Sequence, residues 1–150
     1  MSIRTFVTHQ LPLYLYCIVG LGLIGQGIRY LAGTEIAPYH IEVIETSWEH
    51  IEQSYQHLLV GLYRGFGAGF LCVGLSTIVL ALIPFRDGNR WAIWATPTIA
   101  GIYTLALNYV TFTTLLHGAA PILVSKILFA MVMVAAVLSY FRNTSTAKTC

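Results

Sequence analysis

The sequence predicts an all-α fold: an integral membrane four-helix bundle with an amphipathic outer helix between its first and second spans. Composition is the first reason, since 57% of residues are hydrophobic, only 9% are charged and the mean hydropathy is +0.72. Ordinary soluble domains carry roughly 25% charged residues. The second reason is length: apolar runs at about 11–31, 58–83, 91–116 and 122–141 each approach the roughly 20 residues needed to cross a bilayer. The third is charge placement, because lysines and arginines gather in alternate connections. Four spans within 150 residues leave no room for a separate soluble unit, so residues 1–150 read as a single domain.

The first run, LPLYLYCIVGLGLIGQGIRYL, follows one arginine, Arg4. It is too long for a signal peptide and lacks a small-residue cleavage site, so it is expected to remain as a span. Gly20, Gly22, Gly25 and Gly27 crowd its second half, where small residues let helices approach closely. Arg29 and Tyr30 close it as a headgroup-level pair.

The long connection from Ala32 to Gln56 holds Glu35, Glu42, Glu45, Glu49 and Glu52 and no Lys or Arg. Ile41, Ile44, Trp48, Ile51, Tyr55, Leu58 and Leu62 recur at steps of three and four, the pattern of one helix face. Pro38 suits a first helical turn. An amphipathic helix over about 38–56 is expected, lying on the membrane or running into the second span. Its stripe of Glu42, Glu45, Glu49 and Glu52 reads as a solvated or partner-facing surface.

The second run, His57 to Ile83, contains Arg64 among Gly61, Gly65, Gly67, Gly69 and Gly74. Gly61, Gly65 and Gly69 form the expected packing seam. Pro84, Asp87, Gly88 and Asn89 then break the helix. Trp91 and Trp94 mark the interface that opens the third run, in which Pro97, Gly101, Thr104, Asn108 and Thr111 share a face. An HGAAP turn leads to the fourth run, and the tail after Phe141 is expected to be disordered.

Arg4, Arg86, Arg90, Arg142 and Lys148 fall on one side of this topology, which predicts that both termini are cytoplasmic. For a bacterial chain the location is the inner membrane. The acidic connection then faces outward. Arg64 lies about 9 Å below the outer end of its span, and Lys126, Arg29, Asn108 and Thr111 fall in the same outer half. A charge at the bilayer centre costs between about 3 and 10 kcal/mol, so such groups usually face an interior or a partner. Arg64 is therefore expected to point inward, with Lys126, Asn108, Thr111 and Arg29 around an anionic lipid or another anionic group. Alternatively, the three cations snorkel to the surface or pair with Glu35 and Glu42.

Other chemistry finds less footing. His50 and His57 stand seven residues apart on the expected helix, but the spacing matches no metal signature, and Cys17, Cys72 and Cys150 form no CxxC pair. The scattered basic residues and net charge of +2 offer no nucleic-acid surface. Tyrosines 14, 16, 30, 55, 63, 103 and 109 could line a lipid or quinone cavity, yet aromatic residues are also ordinary interface material.

Tyr63-Arg64-Gly65-x-Gly67-x-Gly69, followed by Leu71 and Gly74-Leu75, together with four runs and a long first outer connection, resembles the DoxX/DoxD-like group of small bacterial four-helix membrane proteins. That resemblance implies a membrane subunit of a redox or quinone-linked complex, with Arg64 and its glycines as the shared feature. The chain has no haem, flavin or dithiol motif of its own. Two functions follow as expectations. One is an accessory or scaffold subunit that packs against another membrane protein or a second copy. The other is a lipid- or quinone-binding protein, or an enzyme, with a pocket around Arg64. A transporter is less suited, because no inverted repeat is evident.

Overall fold

The computed structural model describes residues 7, 10–114 and 119–146, with side chains described at 7, 10–113 and 123–141. Residues with straight or branched apolar side chains and few breakers give four long helices: α1 (Leu11–Ala32), α3 (Gln53–Leu80), α4 (Arg90–Thr114) and α5 (Ala119–Thr146), with a short α2 (Pro38–Ile44) after α1. No strand occurs among the described residues. By length and composition, Leu11–Ala32, Gln53–Phe85 and Leu123–Phe141 can each cross a membrane. Tryptophan, tyrosine, threonine and Asn108 lower the hydropathy of α4 below that level.

Glycine sets the closest helix contact. α1 and α3 pack antiparallel, with Gly27 opposite Gly67 and Gly20 opposite Gly74. A Cβ on Gly67 would stand 3.0 Å from the Gly27 carbonyl oxygen, and one on Gly74 would stand 2.8 Å from that of Gly20. Only a bare backbone fits there. The seam expected at Gly61, Gly65 and Gly69 is not the intramolecular one: a Cβ at Gly61 or Gly65 meets nothing within 4 Å, while at Gly69 it comes to 3.5 Å from the Tyr103 hydroxyl. Those two glycines lie on the outer side of α3, nearly half a turn from the buried face of Tyr63, Gly67, Phe70, Gly74 and Thr77, because successive residues rotate by roughly 100°.

α5 packs along α4 and against α1. Val19, Leu23, Phe70, Ala100, Leu128 and Val132 form one buried cluster, and Tyr16, Ala81, Phe85, Ala92, Ile93 and Ala135 form another. Threonine and serine within these helices return their hydroxyl protons to the carbonyl one turn back, as in Thr77 to Val73 at 2.8 Å and Thr104 to Ala100 at 2.7 Å. Such bonds satisfy the polar group without leaving the helix.

Three boundaries differ from the sequence expectation. The connection does not form one helix over 38–56: α2 stops at Glu45, whose φ of 55° is left-handed, and a separate 3-10 turn spans Trp48–His50. Its apolar groups serve the core differently, since Ile41 and Trp48 turn toward Tyr63 while Val43 and Ile44 stay exposed. At the far end of α3 the helix passes through Pro84 as a widened π turn over Ala81–Phe85, with the Arg86 N–H donating to the Ala81 carbonyl at 3.1 Å. Pro84 has no N–H to continue the α pattern, and the chain reverses at Gly88, where φ is 81°. Finally, α5 begins at Ala119 with Pro121 in its first turn, a position proline tolerates, and its backbone stays helical to Thr146. The helix therefore extends past the expected end at Phe141. Residues 115–118, with His117, and 147–150, with Lys148 and Cys150, lie outside the described residues, as does Arg4.

Candidate functional site

The end of the assembly where α1 leaves and α3 begins is built by aromatic rings. Tyr30 near the end of α1 and Tyr63 on α3 stack at 3.9 Å with an interplanar angle of 16°. Tyr30 also meets Phe70 edge-on at 5.3 Å, and Phe70 meets Tyr103 at 5.3 Å, which links α1, α3 and α4. Above this stack, the Tyr30 and Tyr39 hydroxyls hydrogen-bond at 2.8 Å. Ile36 and Ala37 are buried with Tyr63, and Tyr39, Ile41, Trp48 and Leu59 pack around them. The connection is thus clamped to α1 and α3 rather than free in solvent.

Clamping leaves an open groove of about 440 Å³ between the connection and the first turns of α3, lined by Thr34, Trp48, Gln56, His57, Val60, Gly61 and Arg64. The Gln56 side-chain amide donates to the Trp48 carbonyl at 2.7 Å and braces one wall. Ser54 donates to the Glu52 carboxylate at 2.8 Å just outside. Arg64 supplies the cationic edge and Trp48 with Val60 an apolar one. The arrangement offers a planar hydrogen-bond donor beside a small amphipathic space.

The placement of the expected site residues changes that expectation in detail. Arg64 is exposed at the groove, not directed into the helix interior. Arg29 and Lys126 are also exposed but do not line the groove. Asn108 and Thr111 are committed elsewhere: the Asn108 amide donates to the Thr104 and Ser125 carbonyls, each at 2.9 Å, and Thr111 donates to the Leu107 carbonyl at 2.6 Å. Asn108 therefore ties α4 to α5, a role polar side chains take between helices in lipid. Glu42, Glu45, Glu49 and Glu52 are all exposed, but the break at Glu45 leaves Glu42 and Glu45 on α2 and its cap, Glu49 in the 3-10 turn and Glu52 at the N-cap of α3. His50 is held by Ser47 at 2.6 Å while His57 borders the groove, so the two do not share a helix face. Among the described residues, no cluster of three His, Cys, Asp or Glu is placed to hold a metal ion.

His40 gives the clamp a pH dependence. It packs against the Tyr39 ring at 4.4 Å and the edge of Tyr63 at 5.9 Å, and burial lowers its pKa below the ordinary 6.5. The folded state then disfavours the proton, so the full stability of the clamp is present above pH 6.5 and is lost as pH falls through the lowered folded pKa. Amide hydrogen exchange across residues 36–44, corrected for intrinsic rates, is expected to be faster at pH 5 than at pH 7.5. His40→Gln should flatten that dependence.

Fold and groove together define an all-helical protein with three segments able to cross a membrane and a cation-edged groove at one end. No protein-family model, curated protein or solved structure matches the chain. None of these comparisons supports the likeness to the DoxX/DoxD-like group.

Proposed function

We propose that the chain is a four-span integral membrane protein that binds the headgroup of an anionic lipid in the groove beside Arg64. The observation that carries this reading is the pairing of an exposed guanidinium with an approximately 440 Å³ groove whose other walls are Trp48, Val60, Gly61, His57, Gln56 and Thr34. A phosphate matches arginine's donor fork, and its acyl chains can follow the apolar side. Support for α4 as the fourth span comes from its polar groups, since Thr104, Asn108 and Thr111 are satisfied by helix carbonyls and expose little unmet hydrogen bonding. The charge distribution supports cytoplasmic termini and, in a bacterium, an inner-membrane location, with the groove at the outer leaflet.

The test is native mass spectrometry of protein extracted in mild detergent and titrated with phosphatidylglycerol or phosphatidylcholine. Preferential retention of phosphatidylglycerol is expected, and Arg64→Gln should weaken it about tenfold or more, because a hydrogen bond to a charged group contributes about 1.5–3 kcal/mol. Equal retention by the variant would overturn the reading. A bound quinone in place of lipid would redirect it to a quinone site.

A second reading is an accessory or scaffold subunit, favoured by the open faces at Gly61 and Gly65. Those glycines can admit a helix from another chain. A stoichiometric co-purifying membrane protein in the same spectra would select it.

A further inference from the structure

At the other end of the assembly, two hydroxyls depart from the rule followed by their neighbours. Thr77, Thr104, Thr111 and Ser139 each donate to the carbonyl four residues back. Thr96 is fully buried and does not, and the Tyr16 hydroxyl, also fully buried, likewise has no hydrogen-bond partner. Ser139 stands beside Tyr16, but its proton goes to the Ala135 carbonyl at 2.6 Å and no bond of sound geometry joins the two hydroxyls.

Proline adds a third polar group on α4. Pro97 lies inside α4 and has no N–H, so the Ile93 carbonyl lacks the donor it would otherwise receive one turn on. Ile93 and Ala92 pack in one cluster with Tyr16, and Thr96 follows them by a single helical turn on that face. An apolar core that encloses two unpaired hydroxyls and a proline-released carbonyl is costly unless something completes it. A water molecule needs two to four polar partners and can both donate and accept.

We propose that a buried water molecule bridges the Tyr16 hydroxyl, the Thr96 hydroxyl and the Ile93 carbonyl, and joins α1 to the interruption of α4 at Pro97. The water donates to the carbonyl and to one hydroxyl oxygen and accepts a proton from the other hydroxyl. Ala81, Phe85 and Ala135 belong to the same buried cluster as Tyr16 and Ile93.

Thermal midpoints of the full chain in detergent test this with Tyr16→Phe, Thr96→Val, the double variant and Thr96→Ser. Each of the first two is expected to lower the midpoint by a few degrees, with the double variant little lower than the worse single and Thr96→Ser close to the parent. Additive losses would overturn the bridge, since independent partners, such as Ser139 for Tyr16, produce no coupling. Unchanged or raised midpoints would also overturn it, because a dry site is relieved by removing a hydroxyl. Should a variant fail to fold, water-edited solid-state NMR of the unaltered protein in lipid decides: rapid transfer from water to Tyr16 and Thr96 is expected, and its absence rejects the site.

Discussion

Gly74→Val is expected to cost the protein at least about 3 kcal/mol, the upper end of the overpacking range, and to remove most monodisperse material at ordinary growth temperature. The reason is what its first carbon would meet: the Gly20 carbonyl oxygen at 2.8 Å and the Ile24 backbone nitrogen at 3.0 Å. Backbone atoms cannot rotate away, so α1 and α3 must separate. Separation propagates to Gly27 and Gly67, two helical turns along both helices, where a Cβ would be 2.8–3.0 Å from its neighbours. Gly25→Ala is the control, since a Cβ there meets nothing within 4 Å; it should be neutral or stabilising by up to about 1 kcal/mol through helix propensity. Size-exclusion chromatography after a temperature ramp distinguishes the two. Comparable losses for both variants would mean that helix flexibility, not the crossing, sets the requirement for glycine.

Tyr63→Ala should have the next largest effect, about 3 kcal/mol or more, as for other large aromatic truncations in a core. Tyr63 is only 6% exposed and carries the stack with Tyr30 as well as the contacts to Ile36 and Ala37. Its loss should be local before it is global: amide exchange is expected to rise across residues 34–51 and little in α5. Because Thr34 and Trp48 line the groove, retention of anionic lipid should fall even though Arg64 is intact. Tyr63→Phe keeps the ring and should stay near the parent. If Tyr63→Ala leaves lipid retention unchanged, the connection does not shape the site.

Taken together, the two variants separate what was legible in the residues from what was not. The long apolar runs follow directly from composition, because a bilayer-length segment needs little more than about 20 apolar residues in sequence. The interruption after α3 was legible at Gly88, whereas Pro84 lies inside a π turn that carries the helix on to Phe85. The glycine seam was legible only in part. Gly20 and Gly27 have the same seven-residue spacing as Gly67 and Gly74, a repeat of two turns on both strands of an antiparallel crossing. The denser Gly61, Gly65 and Gly69 pattern resembles a packing motif more strongly, yet two of its members face outward. Spacing identifies a stripe; the partner that faces it depends on rotation of the whole helix.

The candidate site shows the same division. Arg64 stands out in sequence as a charge in an apolar run, and it does border the groove. Its companions were not the polar residues at similar depth. Asn108 and Thr111 look available as letters, but helix carbonyls lie within their reach and take their hydrogen bonds. Thr34 and Trp48 share the groove with Arg64 only because the connection folds back over α3. That fold-back needs the left-handed Glu45, which ends α2 after seven residues and lets Trp48 turn inward. The three-and-four spacing of Ile41, Ile44, Trp48 and Ile51 is equally compatible with one continuous helix.

By itself, the sequence determined that this protein is helical and apolar enough for a membrane, where its breakers fall, and that Arg64 is the charge to be accounted for. Those properties depend on residues close to one another along the chain. Tertiary structure alone decided which glycines touch, where the aromatic rings stack and which walls surround the guanidinium. Each depends on helix rotation and on the path of a connection, and those are set by packing between segments distant in sequence.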